Sequence, residues 1–295
     1  MSVEIIRDPL WNNIRLDALS FELIDTPAFQ RLRYVRQLGL AFLVYPGATH
    51  SRFEHALGTY HLARRTLTLF EDQDDFTLIG RDECMITRIA ALLHDIGHYP
   101  FSHALEEIGA MHHEDVARPL ICDGEVAEVL RRELGAEAPE RIVSLIRGES
   151  DSPLQGLISG SIDLDKLDYL RRDAFMCGVA YGEIDVDRLV NALVIVRDPE
   201  TDAPRVGMIE KGLSALESLY EEAGDARNLL EILERRIEVA ENDEERKSLL
   251  FRRAKLLSEA LAERRKAIEV YETILDISLE RDALTALEAL YTAES

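Results

Sequence analysis

The stretch Ala90-Ala91-Leu92-Leu93-His94-Asp95-Ile96-Gly97-His98 decides how this chain is read. An apolar helix, predicted from Asp82 to Leu93, ends on an adjacent imidazole and carboxylate, so the pair is seated against a hydrophobic core. His98 follows His94 by four residues and shares its helical face if the helix continues, and His103 comes after Tyr99-Pro100-Phe101-Ser102. All 8 histidines lie between His50 and His113. Imidazole nitrogen and carboxylate oxygen together suit a divalent ion such as Fe, Mn, Zn or Mg. Taken alone, the pair reads equally well as an imidazole satisfied by its neighbour at a helix end.

Two other segments add to the pair. Arg52-Phe53-Glu54-His55-Ala56-Leu57-Gly58 opens a helix with a further imidazole, and Asp163-Leu164-Asp165-Lys166-Leu167-Asp168-Tyr169 sets three carboxylates around a lysine. Acid-rich helices are usually solvated faces. Here Asp165 sits between Leu164 and Leu167, and the next turn carries Tyr169 and Asp173, a stripe that reads as the wall of a site.

The order His55, His94-Asp95, Asp165 resembles the H…HD…D signature of the HD superfamily of metal-dependent phosphohydrolases. The runs Ile24 to Tyr34, Gln37-Leu38-Gly39, Tyr45 to His55, His94 to His103 and Asp165 to Tyr169 resemble its deoxynucleoside triphosphate triphosphohydrolase branch. The likeness extends from about Ile5 to Leu219. It implies an all-α HD core that hydrolyses a dNTP to the deoxynucleoside and inorganic triphosphate, with His55, His94, Asp95 and Asp165 as ligands of a divalent metal. It further implies Arg52 and Lys166 at the substrate phosphates, and Gln37, Leu38, Tyr169 and Asp173 around the sugar. His98, His103 and His113 are the implied proton-transfer groups, with Glu114 as the acid behind His113. Asp25, Gln30 and Arg33 match positions that read the guanine of an activating nucleotide in regulated relatives. The same residues also read as a helix N-terminus at Asp25-Thr26-Pro27 followed by an exposed basic face. Glu4 stands where those relatives carry a lysine for the activator phosphates.

Around these motifs the periodicity predicts helices over Phe29 to Leu38, His55 to Phe70 and Asp82 to Leu93. Two short β-hairpins are predicted: Val3 to Leu16, around Asp8-Pro9 and Asn12-Asn13, and Ala192–Val196 paired with Arg205–Ile209 across Asp198-Pro199 and Pro204. From Gly212 onward the chain has no proline and one further glycine, Gly224, while leucines recur at three- and four-residue intervals. Ala215-Leu216-Glu217-Ser218-Leu219-Tyr220 is nearly repeated as Ala286-Leu287-Glu288-Ala289-Leu290-Tyr291, and Ala254 to Tyr271 resembles a degenerate tetratricopeptide repeat. The fold class expected is therefore all-α: an HD domain over 1–211 with short hairpins, then a helical-repeat tail over 212–295. Relatives on the branch continue after the Tyr220 position with a lobe that adds basic phosphate contacts and part of an oligomer interface. This chain enters its repeat-like tail instead, so a homo-oligomer, or a protein partner held by the tail, is expected.

The 295 residues carry 56 acidic against 34 basic side chains, a net charge of -22. That balance disfavours nucleic acid and anionic membrane surfaces as partners. It leaves room for a small polyanion in a cleft where a metal and a few arginines reverse the local potential. No stretch approaches the ~20 apolar residues that cross a bilayer. The start, Met1 to Arg7, lacks a secretory signal, and Cys84, Cys122 and Cys177 form no CxxC pair, so a cytoplasmic enzyme is expected. Two other readings remain open: an HD hydrolase acting on another nucleotide or phosphate ester, and a nucleotide-sensing scaffold whose tail binds a protein partner.

Overall fold

In the computed structural model the residues described are 4–160, 163–180, 184–198, 201–240 and 242–292. The chain divides into two compact units, 1–207 and 208–295.

The first unit opens with an antiparallel hairpin, β1 (Glu4–Asp8) and β2 (Asn12–Leu16), in register Ile6 opposite Ile14 and Asp8 opposite Asn12. Its turn is tied by one carboxylate: Asp8 Oδ1 accepts the backbone N–H groups of Leu10 (2.9 Å) and Trp11 (2.8 Å). Asn12 then takes a left-handed conformation, φ 61°, which asparagine tolerates better than most residues. Val3, where this hairpin was predicted to start, lies outside the described residues.

The helical body comprises α1 (Ala18–Asp25), α2 (Pro27–Gln30), α3 (Arg52–Phe70), α4 (Arg81–Leu93), α5 (Ser102–Glu106), α6 (His113–Cys122), α7 (Gly124–Leu134), α8 (Ala138–Ile146) and α9 (Leu164–Cys177). It is followed by α10 (Val186–Ala192) and a second hairpin, β3 (Leu193–Arg197) with β4 (Pro204–Met208). Pro199, in the predicted turn, lies outside the described residues.

Helix α3 is the hub. It starts at a capping box in which Ser51 and Glu54 satisfy each other's backbone donors, which fixes His55 in the first turn. Phe53, Ala56, Leu57, Tyr60, Leu62 and Ala63 are buried on several sides of it, because α4 and α9 both pack against it. Two glycines permit the closest approaches. A Cβ on Gly58 would occupy the space of the Asp168 carboxylate and the Arg172 guanidinium of α9. A Cβ on Gly97 would meet the carbonyl of His113 and the backbone nitrogen of Ala117 in α6.

Two local expectations are corrected. The segment Phe29 to Leu38 is not one helix: α2 passes into a 3-10 turn over Arg31–Tyr34, and Val35 is extended. Backbone pairing with the residues just before α3 prevails over helical periodicity there, with Arg52 N–H to Val35 O at 2.9 Å and Gln37 N–H to His50 O at 3.1 Å. The helix carrying the His-Asp pair likewise stops at Leu93, and His94 to His98 form turns, Ile96 N–H to Leu93 O and His98 N–H to Asp95 O, both 3.0 Å. His98 thus reaches its place through a turn and not along a helical face.

The second unit consists of α11 (Glu210–Ala223), α12 (Ala226–Glu238), α13 (Asp243–Glu259), α14 (Arg264–Ile277) and α15 (Arg281–Thr292), each packed on the next. The residues from Gly212 and the two near-repeats, on α11 and α15, fall within this helical stack, whose first helix begins just ahead of Gly212. Its apolar seam includes Ala254, Leu257, Ala267, Tyr271, Ile274 and Ala283, a small-to-large alternation that lets neighbouring helices approach. Among the described residues no helix is long and apolar enough to cross a membrane.

Gly58→Ala should lower the unfolding free energy by about 1–3 kcal/mol, the usual cost of overpacking, because the displaced groups are ionic and buried. Denaturant titration followed by circular dichroism measures it, and an unchanged midpoint would show that α3 and α9 have slack at this point.

Candidate active site

His55 is buried in the first turn of α3. Its Nδ1 lies 2.8 Å from Asp168 Oδ2 and its Nε2 lies 2.7 Å from Asp165 Oδ1, both carboxylates on α9. His94, the residue after α4, has its Nδ1 2.9 Å from the carbonyl of Ala91. A carbonyl only accepts, so His94 keeps its proton on Nδ1, and the Asp168 carboxylate favours the same tautomer in His55. With a metal displacing the proton that His55 shares with Asp165, each ring would offer an Nε2 lone pair to the same point, the two nitrogens 3.2 Å apart. Asp95 Oδ1 is 3.4 Å from His94 Nε2, Asp95 Oδ2 is 3.8 Å from His55 Nε2, and Asp165 Oδ1 is 3.5 Å from His94 Nε2. Lone pairs and carboxylate oxygens converging at this spacing repel one another unless a cation lies among them, and two imidazoles with two carboxylates are a donor set that suits a divalent ion. The structure therefore brings the predicted ligands together, and they fit the group they were expected to hold.

The electrostatics point the same way. Burial alone would lower the His55 pKa, but the carboxylates of Asp165, Asp168 and Asp95 prevail and push it up to about 10. Burial also works against ionised Asp165, yet its bonds to His55 and His94 hold it well below the usual carboxylate range. This is the field that a cation is drawn into. Asp95, likewise buried, is held low by Arg52, His94 and His98, and Arg52 Nη1 bonds to its Oδ2 at 2.7 Å.

A cavity of about 420 Å³ opens over these donors, and Gln37, Leu38, Arg52 and Tyr169 line it. Four imidazoles stand beside it. His98 is buried, with Nδ1 2.5 Å from Ser102 Oγ and Nε2 3.1 Å from Asp95 Oδ1. Burial pushes its pKa down to about 4, with Arg52 and His113 working in the same direction. The ring of His113 stacks on it at 3.8 Å, while the exposed His103 meets both rings edge-on at 4.9 and 5.2 Å. His112, on the other side of His113, is solvent-exposed.

Several predicted groups stand elsewhere than expected. The carboxylate bonded to His113 is Glu106, not Glu114: Glu106 Oε1 accepts the His113 backbone N–H at 2.9 Å and lies 3.0 Å from its Nδ1. The reason is that α6 starts at His113, which turns the side chain of Glu114 toward the cavity and His112, 4.0 Å away. The Lys166 ammonium turns to Asp163 Oδ2 (3.1 Å) and Gly160 O (2.7 Å), and Lys166 is not among the residues lining the cavity. Asp173 pairs with His50 at 2.7 Å, also off the cavity wall. Of the effector candidates, the Gln30 amide donates to Ile24 O (2.9 Å) and accepts from Arg33 Nε (2.8 Å), the Arg33 guanidinium lies 3.5 Å over the Phe53 ring, and Asp25 is exposed.

The sequence reading missed four contributors. Asp168 orients His55, and Arg172 and Trp11 in turn hold Asp168, with Arg172 Nε to Asp168 Oδ2 at 2.8 Å and Trp11 Nε1 to Asp168 Oδ1 at 2.5 Å. The fourth is Glu106. The signals were local spacings: Asp168 and Arg172 one helical turn apart, and His103 followed by Glu106 at i+3.

A helical body that brings an imidazole from one helix, a His-Asp pair from the end of a second and an aspartate from a third to one corner has the arrangement of an HD domain. Residues 52–173 match the HD domain family. The chain belongs to the HD-domain phosphohydrolase family, and its cofactor is a divalent metal. It is 38% identical over 218 residues to the uncharacterized protein YwfO of Bacillus subtilis, covering 72% of this chain and 48% of that protein. It is 34% identical over 211 residues to the deoxynucleoside triphosphate triphosphohydrolase SAMHD1 homolog of Dictyostelium discoideum, covering 67% of this chain and 41% of that one. A phosphohydrolase of known structure from Bacteroides thetaiotaomicron superposes with a TM-score of 0.62 at 30% identity, over 87% of this chain and 60% of the other. The chain thus spans about half the length of the curated relatives it matches.

Two outcomes follow from Asp168. Asp168→Asn should weaken metal binding by about 10–100-fold, the usual cost of losing a ligand's carboxylate partner, as read by metal content after dialysis against a graded chelator. The second is pH dependence. Burial raises the Asp168 pKa, but Arg172 and His55 outweigh it and bring the value down to about 2, below its ordinary ~3.9. Its ionised form thus stabilises the fold fully above about pH 4, and the contribution disappears as pH falls through about 2. Arg172→Met should destabilise by roughly 3–5 kcal/mol at neutral pH and move that acid loss to higher pH, measured by unfolding at stepped pH.

Proposed function

We propose that this cleft hydrolyses deoxynucleoside triphosphates to the deoxynucleoside and inorganic triphosphate. The observation that carries the reading is the sharing of one cavity by His94, Asp95 and Asp165, with the buried His55 bonded to Asp165 behind its wall, by the Gln37, Leu38 and Tyr169 wall, and by the imidazoles of His98, His103 and His113. The name of the Dictyostelium relative supports the substrate class. His55, His94, Asp95 and Asp165 would hold a divalent ion, which would supply Lewis acidity toward the phosphate and the attacking water.

The remaining work falls to the chain's own residues. Arg52, buried at the cavity wall and fixed by Asp95, directs one guanidinium edge toward substrate phosphate. Leu38 and Tyr169 pack against the deoxyribose, and Gln37 hydrogen-bonds it. His98, with its pKa near 4, is neutral at pH 7 and therefore orients or accepts a proton but does not donate one. The donor to the departing deoxyribose oxygen is then His103, which stands at the open side with Glu106 Oε2 3.5 Å from its Nδ1, while His113 buttresses His98 by stacking. Nucleotide activation through Asp25, Gln30 and Arg33 is not part of this reading, because Gln30 and Arg33 are already bonded to each other. We place the enzyme in the cytoplasm, with the helical tail as the surface for self-association or a protein partner.

One observation favours a second reading. The Lys166 ammonium is engaged away from the cavity, and Arg52 is the guanidinium among the described residues that lines it, so a less highly charged nucleotide or phosphate ester also fits. The test is to measure bound metal and incubate the protein with each of the four dNTPs, with and without GTP, resolving products by ion exchange. Deoxynucleoside with inorganic triphosphate supports the first reading; orthophosphate or a monophosphate supports the second. Asp165→Ala should reduce either activity to background, and equal turnover by that variant would overturn both.

A further inference from the structure

Away from the metal cleft, the hairpin and the later turns of α3 border an open hollow of about 300 Å³. Arg15, Arg64, Arg65 and His61 line it together with Asn13 and Thr68, and no acidic residue does. In a chain of net charge -22, a hollow bordered by three arginines and no lining carboxylate is a local inversion of potential. The Arg15 guanidinium has no carboxylate partner among the described residues, Arg64 donates to the Arg15 carbonyl, and only Arg65 pairs with an acid, Asp187 of α10. The partly buried His61 feels the arginines: burial lowers its pKa and Arg65 and Arg64 lower it further, against the opposing carboxylates of Asp8 and Asp168.

The geometry points to a second ligand site, in which Arg15, Arg64 and Arg65 bind the phosphate groups of a small polyphosphate-bearing anion. Guanidinium forks match phosphate oxygens two at a time, the Thr68 hydroxyl and Asn13 amide add donors, and the volume is that of a small-ligand pocket. An extended polyanion such as nucleic acid would have to run out of the hollow across the acidic remainder of the surface, which the net charge opposes. The site is independent of the reaction proposed for the metal cleft.

The chain carries its own reporter. Trp11 is its only tryptophan, and its ring stacks on His61 at 5.9 Å with 28° between the planes. The protein as purified, with its metal, would be titrated with inorganic tripolyphosphate at constant ionic strength, following Trp11 emission and, in parallel, heat by calorimetry. The expected result is saturable binding that Arg15→Gln with Arg64→Gln weakens by about tenfold or more, and that Asp165→Ala, which disables the metal cleft, leaves at an unchanged midpoint. Adenosine triphosphate titrated into the Asp165→Ala protein separates two sources of the same chemistry. A midpoint equal to that of tripolyphosphate assigns the phosphate chain alone, and a tighter one assigns a nucleotide. Absence of saturation by both readouts, an unaltered midpoint in the double arginine variant, or loss of the signal in Asp165→Ala would each overturn the assignment. Both arginines lie at the surface of the hollow, so circular dichroism of the double variant should match the parent.

Discussion

The structure depends on one buried carboxylate. Asp168 is fully enclosed, and an isolated charge there would cost several kcal/mol even after relaxation. It is tolerated because donors from three parts of the chain converge on it: Trp11 from the first hairpin, His55 from α3, and Arg172 one turn further along α9. Arg172 also spans to Asp8 at 2.9 Å, the same aspartate that ties the hairpin turn. The turn, the hub helix and the helix carrying Asp165 are thereby fixed to one another by charge before any ion or substrate is considered. Gly58 is the steric counterpart, since only an absent side chain leaves room for the ion pair.

From that constraint the properties of the cleft follow. Because Asp168 fixes the tautomer and plane of His55, the Nε2 lone pair is aimed, and His94 is aimed by the Ala91 carbonyl in the same way. Asp95 is shared among Arg52, His98 and the ion-binding corner, so each group that would pull it away is opposed by another. Sharing also separates the imidazoles by role. The ones nearest the ion are set by carboxylates, His98 is kept neutral by burial, and His103 remains open to solvent. Graded burial within one cluster of histidines produces different proton affinities from one residue type.

How far this was legible in the sequence depended on the range of the interaction. His55, His94, Asp95 and Asp165 could be named together because their order resembles the H…HD…D signature, with the apolar flanks of His94-Asp95 and of Asp165 in support. Helices α3 and α4 were legible from periodicity and both hairpins from their turn residues, and both signals are local. The stretch after Tyr34 was not, because its conformation is set by pairing with His50 and Arg52, residues it does not touch in sequence. Nor was the partner of His113. Adjacency favoured Glu114, whereas the start of α6 at His113 and the placement of α5 deliver Glu106. Asp168 was visible as one of three acids on a helix, but its burial arises only when Trp11 and Arg172 close around it.

The same hub bears on the basic hollow. From His61 a chain of contacts runs through the stacked Trp11 to Asp168 and on to His55, so the hollow and the metal donors share a wall. Shared walls do not by themselves transmit binding; transmission needs an element with two arrangements that both sites bias. Each member of this chain is held by directional bonds: the Trp11 N–H by Asp168, the Asp168 oxygens by Arg172, and the His55 ring by Asp168 on one side and Asp165 on the other. A ligand that displaced Trp11 would have to break the bond that keeps a buried charge satisfied, which costs more than a surface-anion contact returns. The connection therefore works as a strut. It keeps the metal donors in register whatever occupies the hollow, so the two sites can coexist on one small helical body with opposite local potentials.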